Sequence, residues 1–318
     1  MNAFCSSTGL VVSRLCRLVS AGLLGLCLSS AVSADDDEFC SAAQPGCIAI
    51  GELNVSLGLG LGLRSNPLLN GDDLPLFILP EIRYYGERFF FDTYTGGFTF
   101  FDNGAHLINA VATIGFDQIY FKTFSIGNLV IDAGPLRAST ESAFQSDDYE
   151  LVPDDMGLDP IPPEQLEVEL ENLHSRDTAG LAGLEYGYYN HHWDASIQLL
   201  QDVTAVHKGQ EIRAAASRFV NIGGQSFQLA GGFSWQSADL LQYYYGVEAE
   251  EVDTPELAYS PKAGLSPFVR IDWRKPISKK WYWQATLHHR WLSKEITGSP
   301  LLDEDAVLTV YVGGVYHF

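Results

Sequence analysis

The chain is 318 residues long and 46% hydrophobic, with 19 Lys+Arg against 40 Asp+Glu and a formal net charge of −21. So few bases on so acidic a chain exclude nucleic acid as a partner, because phosphate binding needs a basic face. Aromatics at 12% with charges at only 19% exclude disorder over most of the length. No uncharged apolar run reaches the roughly 18–20 residues of a spanning helix, which leaves an α/β or all-β domain, or a membrane barrel whose hydrophobicity is hidden by alternation.

Arg14 and Arg17 precede the uncharged stretch Leu18–Val32, which runs into Val32-Ser33-Ala34 and then Asp35-Asp36-Asp37-Glu38. A basic start, an apolar middle and small residues before the cut describe a secretory signal peptide over residues 1–34. Its removal takes away Cys5, Cys16 and Cys27 and leaves Cys40 and Cys47 in a short N-terminal segment, 35–50, expected to lie in the periplasm. Pro45-Gly46 between the two cysteines offers a turn, and an oxidising compartment makes a disulfide their expected state. Neither has the neighbouring His or further Cys that a metal site needs.

From residue 51 the chain reads as strands. Leu53, Val55, Leu57, Leu59, Leu61 and Leu63 fall on one face, with Asn54, Ser56, Gly58, Gly60, Gly62 and Arg64 on the other. A period of two sustained this long predicts a strand; a helix would be penalised by the glycines. The pattern returns at Trp193–Leu199, at Phe227–Trp235 and at Val269–Arg274. These runs of about 10–13 residues suit a bilayer better than a globular sheet, and aromatics gather at their ends (Tyr84-Tyr85, Phe89-Phe90-Phe91, Tyr188-Tyr189, Trp281, Trp283, Trp291) as interface girdles do.

Short turns are expected at Tyr85–Arg88, Asn190–His192, Asn221–Gln225 and Arg274–Lys280, and long connections at 65–74, 138–178, 202–210, 237–264 and 295–305. Short and long alternate strictly from residue 179 onward, as they do in barrels with periplasmic turns and extracellular loops. Residues 88–137 are ambiguous. Turns at both Thr95-Gly96-Gly97 and Ile126-Gly127-Asn128 give 14 strands; running through both gives 12, the count adopted here because glycine bulges suit curved strands. The expected fold is therefore an all-β, antiparallel up-and-down transmembrane barrel over 51–318, with loop 138–178 outside.

That loop holds twelve Asp+Glu and one base, Arg176, and Glu164–Glu171 within it has the composition of a short helix. Lacking EF-hand spacing, it reads as a solvated acidic loop, as does Glu248, Glu250, Glu251, Asp253 and Glu256 in the next one. No cofactor or metal set emerges: the adjacent pairs His191-His192 and His288-His289 point to opposite faces of a strand. Ser266, His288 and Asp272 are the one hydrolase set that can be imagined, and no local motif singles them out, so the protein is read as not an enzyme. The basic turn Arg274, Lys275, Lys279 and Lys280 is the notable cationic patch, readable as a periplasmic partner contact or as an anchor at phosphate headgroups.

In the last strand Leu308, Val310, Val312, Tyr316 and Phe318 share a face, and Tyr316 and Phe318 end the chain as the C-terminal assembly signal of bacterial outer-membrane barrels does. This resemblance implies contact with the barrel-assembly machinery and a place in the Gram-negative outer membrane among lipid and lipopolysaccharide. The run Leu74–Phe90, the element Tyr244-Tyr245-Gly246-Val247 followed by Tyr259, Pro261, Ala263 and Gly264, the Ser299-Pro300-Leu301 segment and the Tyr316-His317-Phe318 ending together resemble the MipA/OmpV family. The likeness covers roughly residues 50–318. It departs at Asn66–Asp73, where the family has a Tyr-Glu-Gly segment, and in the longer, more acidic middle loop. It implies a non-catalytic outer-membrane scaffold linking a murein hydrolase (a lytic transglycosylase) to a peptidoglycan synthase. A porin-like diffusion channel is the second reading and a membrane-embedded hydrolase the third. Inward aromatics such as Phe268 suggest a partly filled lumen.

Overall fold

The computed structural model describes residues 50–121, 174–190, 193–252 and 255–318. The expected signal segment 1–34, Cys40 and Cys47, Ile126-Gly127-Asn128, the Glu164–Glu171 stretch, most of the acidic loop and His191-His192 lie outside the described residues.

Twelve antiparallel strands close into a barrel in which each pairs with its neighbours in sequence and the first pairs with the last. They are β1 (Leu53–Arg64), β2 (Leu74–Tyr85), β3 (Phe89–Asp92), β4 (Thr95–Asp102), β5 (His106–Ile114), β6 (Gly180–Tyr189), β7 (Trp193–Asp202), β8 (Gln210–Ile222), β9 (Gln225–Gln236), β10 (Gly264–Pro276), β11 (Trp281–Trp291) and β12 (Ala306–His317). Alternation sets the faces, because successive Cβ atoms point to opposite sides of a strand. Leu59, Leu61 and Leu63 of β1, Val269 and Ile271 of β10 and Val310 and Val312 of β12 face outward. In β1 and β10, Ser56, Arg64, Arg270 and Asp272 turn inward and are buried. Leu61, at 68% exposed, shows how open the outer face is to hydrocarbon.

Closure of the ring depends on glycine. Gly60 of β1 lies opposite Gly313 of β12, and the inward Tyr311 folds flat across both. A methyl group at either position would run into backbone of the partner strand and the Tyr311 hydroxyl.

The count of twelve is as expected, but the route to it is not. The third strand does not run through Thr95-Gly96-Gly97: the chain reverses just before it, at Thr93-Tyr94, where Thr93 adopts φ 51° and donates its N–H to Ile82 at 2.8 Å. β3 is consequently four residues and β4 eight, shorter than the 10–13 expected. Gly97 serves packing instead, since the Phe90 ring lies where its side chain would be. Beyond β5 the chain forms a 3-10 turn, Asp117–Phe121.

The largest apolar cluster lies at the end of the barrel where the long connections meet. It joins Leu68, Ile119, Tyr120, Leu240, Leu241, Tyr244, Tyr245, Val247, Leu292, Ile296 and Leu301. Two helices absent from the sequence reading build it. The first, α1 (Ala238–Tyr245), starts at Ser237, whose hydroxyl accepts the Leu240 N–H, and buries the stripe Leu240, Leu241, Tyr244, Tyr245. The second, α2 (Lys294–Thr297), contributes Ile296. Bridges Leu68–Leu302 and Val247–Tyr259 stitch the connections together.

Candidate functional site

Three zones follow one another along the barrel: a filled lumen, a capped loop end and an open turn end. In the lumen, Asn109, Ser217, Gln284 and Thr309 are 0% exposed, and Arg64, Arg270, Ser266 and His288 are buried with them. A water-filled pore would leave such side chains wetted, so at these levels the lumen is occupied by the protein's own groups. They satisfy one another within and across strands. Glu185 accepts from Gln198 at 2.7 Å and from Asn109, Asp272 accepts from Arg270 at 2.7 Å and from Thr286 at 2.7 Å, and Glu81 pairs with Arg83. Asp272 and Glu81 each have an arginine partner and Glu185 is held by two amide donors, as burial away from water requires. Phe268 packs between Ala215 and Ala230 and against the His288 ring, filling the section where the sequence places an inward aromatic.

The cap rests on polar connections as well as apolar ones. The Asp117 carboxylate accepts from the Tyr245 hydroxyl at 2.9 Å and from Gln236 at 2.7 Å, with the Arg290 guanidinium 3.8 Å away. Arg290 also donates to Gln236 and Ser234. These contacts fasten the 3-10 turn and α1 to the barrel wall. Burial, reinforced by the negative charge of Asp117, pushes the Tyr245 hydroxyl well above its ordinary range and keeps it a donor.

A second clasp joins residues 174–178 to the connection after α1. Arg176 donates to the Gly246 carbonyl at 3.2 Å and lies 3.4 Å from Glu251. Burial alone would raise the Glu251 pKa; N–H groups of Glu248 and His174, the His174 ring and the Arg176 charge outweigh it and hold the carboxyl at about 2. Glu251 is therefore no solvated loop charge, contrary to the expectation for its acidic neighbourhood. Its side chain is 2% exposed and is bound to the one base of the acidic loop. Nearby, burial lowers the His207 pKa against the pull of Asp202, Asp117, Glu211 and Asp239, and the Gly209 N–H donates to its Nδ1 at 2.9 Å. A neutral ring locks that connection.

The turn end is built differently. Its connections are short: Gly223 and Gly224, at φ 59° and 75°, make one, and residues 277–280 another. Lys275, Ile277, Lys279 and Lys280 are exposed, while Arg274 is half-buried with its guanidinium 5.6 Å from the Tyr282 ring. The structure brings the basic turn and the C-terminal aromatics together. Lys280 Nζ stands 5.5 Å from the Tyr316 ring centroid, Trp281 packs on Tyr316 at 5.0 Å, and Phe318 follows at 4.9 Å.

The imagined hydrolase set is not assembled. Ser266 accepts the Ser293 N–H, and Asp272 is held by Arg270 and Thr286. The register puts His288 opposite Arg270, four residues or about 13 Å along the strand from Ser266. Among the described residues no group of three or more His, Cys, Asp or Glu is placed to hold a metal ion. What the sequence reading missed is the cap: Asp117, Gln236, Tyr245 and Arg290, and the Arg176–Glu251 clasp. Ser237 followed by the 240/241/244/245 spacing was the available signal for α1.

Comparison with known proteins supplies the family. The family model described as MltA-interacting protein MipA matches residues 57–318. A curated relative, the MltA-interacting protein of Escherichia coli K12, is 23% identical over 85% of this chain and 93% of its own. The putative outer membrane protein YiaT of the same organism is 26% identical over 51% of this chain and 67% of its own. OmpV of Vibrio cholerae is 26% identical over 37% and 46%. Among solved structures, an outer membrane channel of Pseudomonas putida F1 covers 88% of this chain and 100% of that one at 8% identity, with a TM-score of 0.36.

Proposed function

The chain belongs to the MltA-interacting protein MipA family of outer-membrane barrels, and from that premise we propose that it is a non-catalytic scaffold that docks peptidoglycan-remodelling enzymes on its periplasmic side. One observation carries the reading: the loop end is sealed by a fused apolar cap over a lumen filled with paired side chains, while the turn end remains open and cationic. A conduit needs the first two features reversed. A docking surface needs only the third. With the short turns facing the periplasm, the turn Arg274–Lys280 projects toward the cell wall and meets an acidic patch on a murein hydrolase; the Escherichia coli relative is named for its interaction with MltA. A peptidoglycan synthase is the second expected member of the assembly. The relatives carry the names of interacting or outer-membrane proteins, which agrees with a barrel that performs no chemistry.

The test is a pull-down of periplasmic murein hydrolases by the detergent-solubilised barrel. Reversing the charges at Arg274, Lys275, Lys279 and Lys280 to Glu is expected to abolish capture while the folded barrel persists as a heat-modifiable band. Undiminished capture by the variant removes the basic turn from the interface. Planar-bilayer recording provides the opposing arm: the wild-type protein is expected to be silent, and stepwise conductance would replace the scaffold with a channel.

A further inference from the structure

We propose that the outer wall formed by β10, β11, β12 and β1 carries a seat for one anionic glycerophospholipid, with its acyl chains in an apolar depression and its phosphate among Lys275, Lys279 and Lys280. The inference rests on the outer-membrane location and gives to lipid phosphate three of the four bases that the scaffold reading gives to a protein partner.

Two features of that quadrant point the same way. The first is a depression of about 640 Å³ walled by the outward Leu61, Ile271, Leu287 and Val312, with Gly62 and Ala285 among its small residues. Ala285 pairs with Trp273 on one side and Val312 on the other, so the small side chain leaves a trough between larger neighbours. Hydrocarbon chains fill such a trough with gain in dispersion contact, since unfilled space beside packed atoms forfeits it.

The second feature is the charge at its turn-side rim. Trp273 lines the depression, and Lys275 follows two residues later on the same outward face, about 7 Å along the strand. On the adjacent strand the same path runs from Ala285 through the outward Trp283 and Trp281 to Lys280. Gly314 lies opposite Trp283 and the Trp281 ring packs over it, so indole rings line the path between trough and rim. Indole and phenol rings mark the headgroup level of a bilayer, which places the three lysines at the depth of lipid phosphate.

Charge complementarity selects the headgroup. Among the described residues, Lys275, Lys279 and Lys280 make no ion pair, and residues 273–283 contain no acid. The neighbouring Asp272 is turned inward onto Arg270. On the adjoining β1, Glu52 immediately precedes the strand and is exposed. A soluble acidic protein can reach the exposed tip at Lys279 but has nothing to place in the trough. A phospholipid occupies both at once.

Tryptophan fluorescence tests the seat directly, because Trp273 lines it and Trp281 and Trp283 stand on the adjacent strand between it and the lysines. The intact barrel is reconstituted in phosphatidylcholine vesicles, and the probe is phosphatidylglycerol or phosphatidylcholine brominated on its acyl chains. Brominated phosphatidylglycerol is expected to quench with a preference of roughly fivefold or more. The triple variant Lys275→Gln, Lys279→Gln, Lys280→Gln should bring the ratio to one, and Ala285→Leu, which fills the trough, should lower it. Millimolar glycerol phosphate should leave the preference intact.

Equal quenching by the two lipids in the wild-type protein overturns the proposal, as does a preference that survives both variants. Abolition by glycerol phosphate reduces the seat to a bare anion contact and overturns it too. The pull-down, run in detergent free of anionic lipid, reads the scaffold separately: captured hydrolase with equal quenching assigns the lysines to a protein partner and rejects the lipid.

Discussion

The two ends of the barrel solve the same problem, how to finish a cylinder of strands, in opposite ways. At the loop end four connections fold together over a buried apolar cluster and are pinned by charges held out of water, Asp117 with Arg290 and Glu251 with Arg176. At the turn end the connections 223–224 and 277–280 are two and four residues long, and the cations and aromatics there stay exposed. Removing a charge at the first end leaves its partner stranded in a dry site; removing one at the second leaves a partner that water readily solvates. The loop end is therefore where substitutions damage structure. The turn end can change its charge freely, and for that reason it is the end suited to recognition.

Arg290→Ala should produce the largest effect. It strands the Asp117 carboxylate beside Tyr245 and Gln236 and takes two donated hydrogen bonds from the top of β9. Loss of one member of a buried pair costs about 3–5 kcal/mol. That is expected to free α1 without unfolding the strands, read as rapid proteolysis within 238–262 of a barrel that stays heat-modifiable. Adding Asp117→Asn should restore part of the protection, because the stranded charge disappears. Equal protease resistance in the wild-type and Arg290→Ala proteins would show that apolar packing alone closes the cap.

The Arg176–Glu251 clasp gives the next effect and a pH signature. The Glu251 pKa lies below its ordinary 4.5, at about 2, so its contribution is complete above pH 4.5 and is lost as pH falls toward 2. The shift corresponds to about 3 kcal/mol at most. Pepsin cleavage around 246–252 should accelerate across that window. Glu251→Gln should be cleaved readily at its upper edge and show a flatter profile. Identical profiles for the two proteins would remove the clasp from the cap's stability.

The same contrast explains what could be read without coordinates. Strand faces such as Leu53–Arg64 and Ala306–Phe318 are local statements, fixed by a period of two, and the turn end follows from them because short turns join strands already identified. The cap is not local. Tyr245 and Asp117 are 128 residues apart, Arg176 and Glu251 75, and nothing in either neighbourhood names its partner. The acids near Glu251 look alike in sequence, yet one is buried and paired while Glu248 and Glu250 are exposed. The glycines at 96–97 misled for a related reason: Gly97 makes room for the Phe90 ring of the adjacent strand, whereas the actual reversal uses Thr93, a residue type that seldom adopts positive φ.

The smallest expected effect belongs to the turn end. Lys280 touches the Tyr316 ring and hydroxyl, an exposed cation–aromatic contact that contributes about 0.5–1 kcal/mol. Lys280→Gln should therefore leave the urea midpoint of the folded barrel nearly unchanged. Because Tyr316 sits between Trp281 and Phe318, the substitution should instead alter the emission of the aromatic cluster at the bilayer interface. If the variant lost as much stability as Arg290→Ala, the two ends would be equally integral to the fold. The turn end would then lack the freedom to vary charge on which a recognition role depends, and the small size of this one effect is what separates a surface for partners from another part of the core.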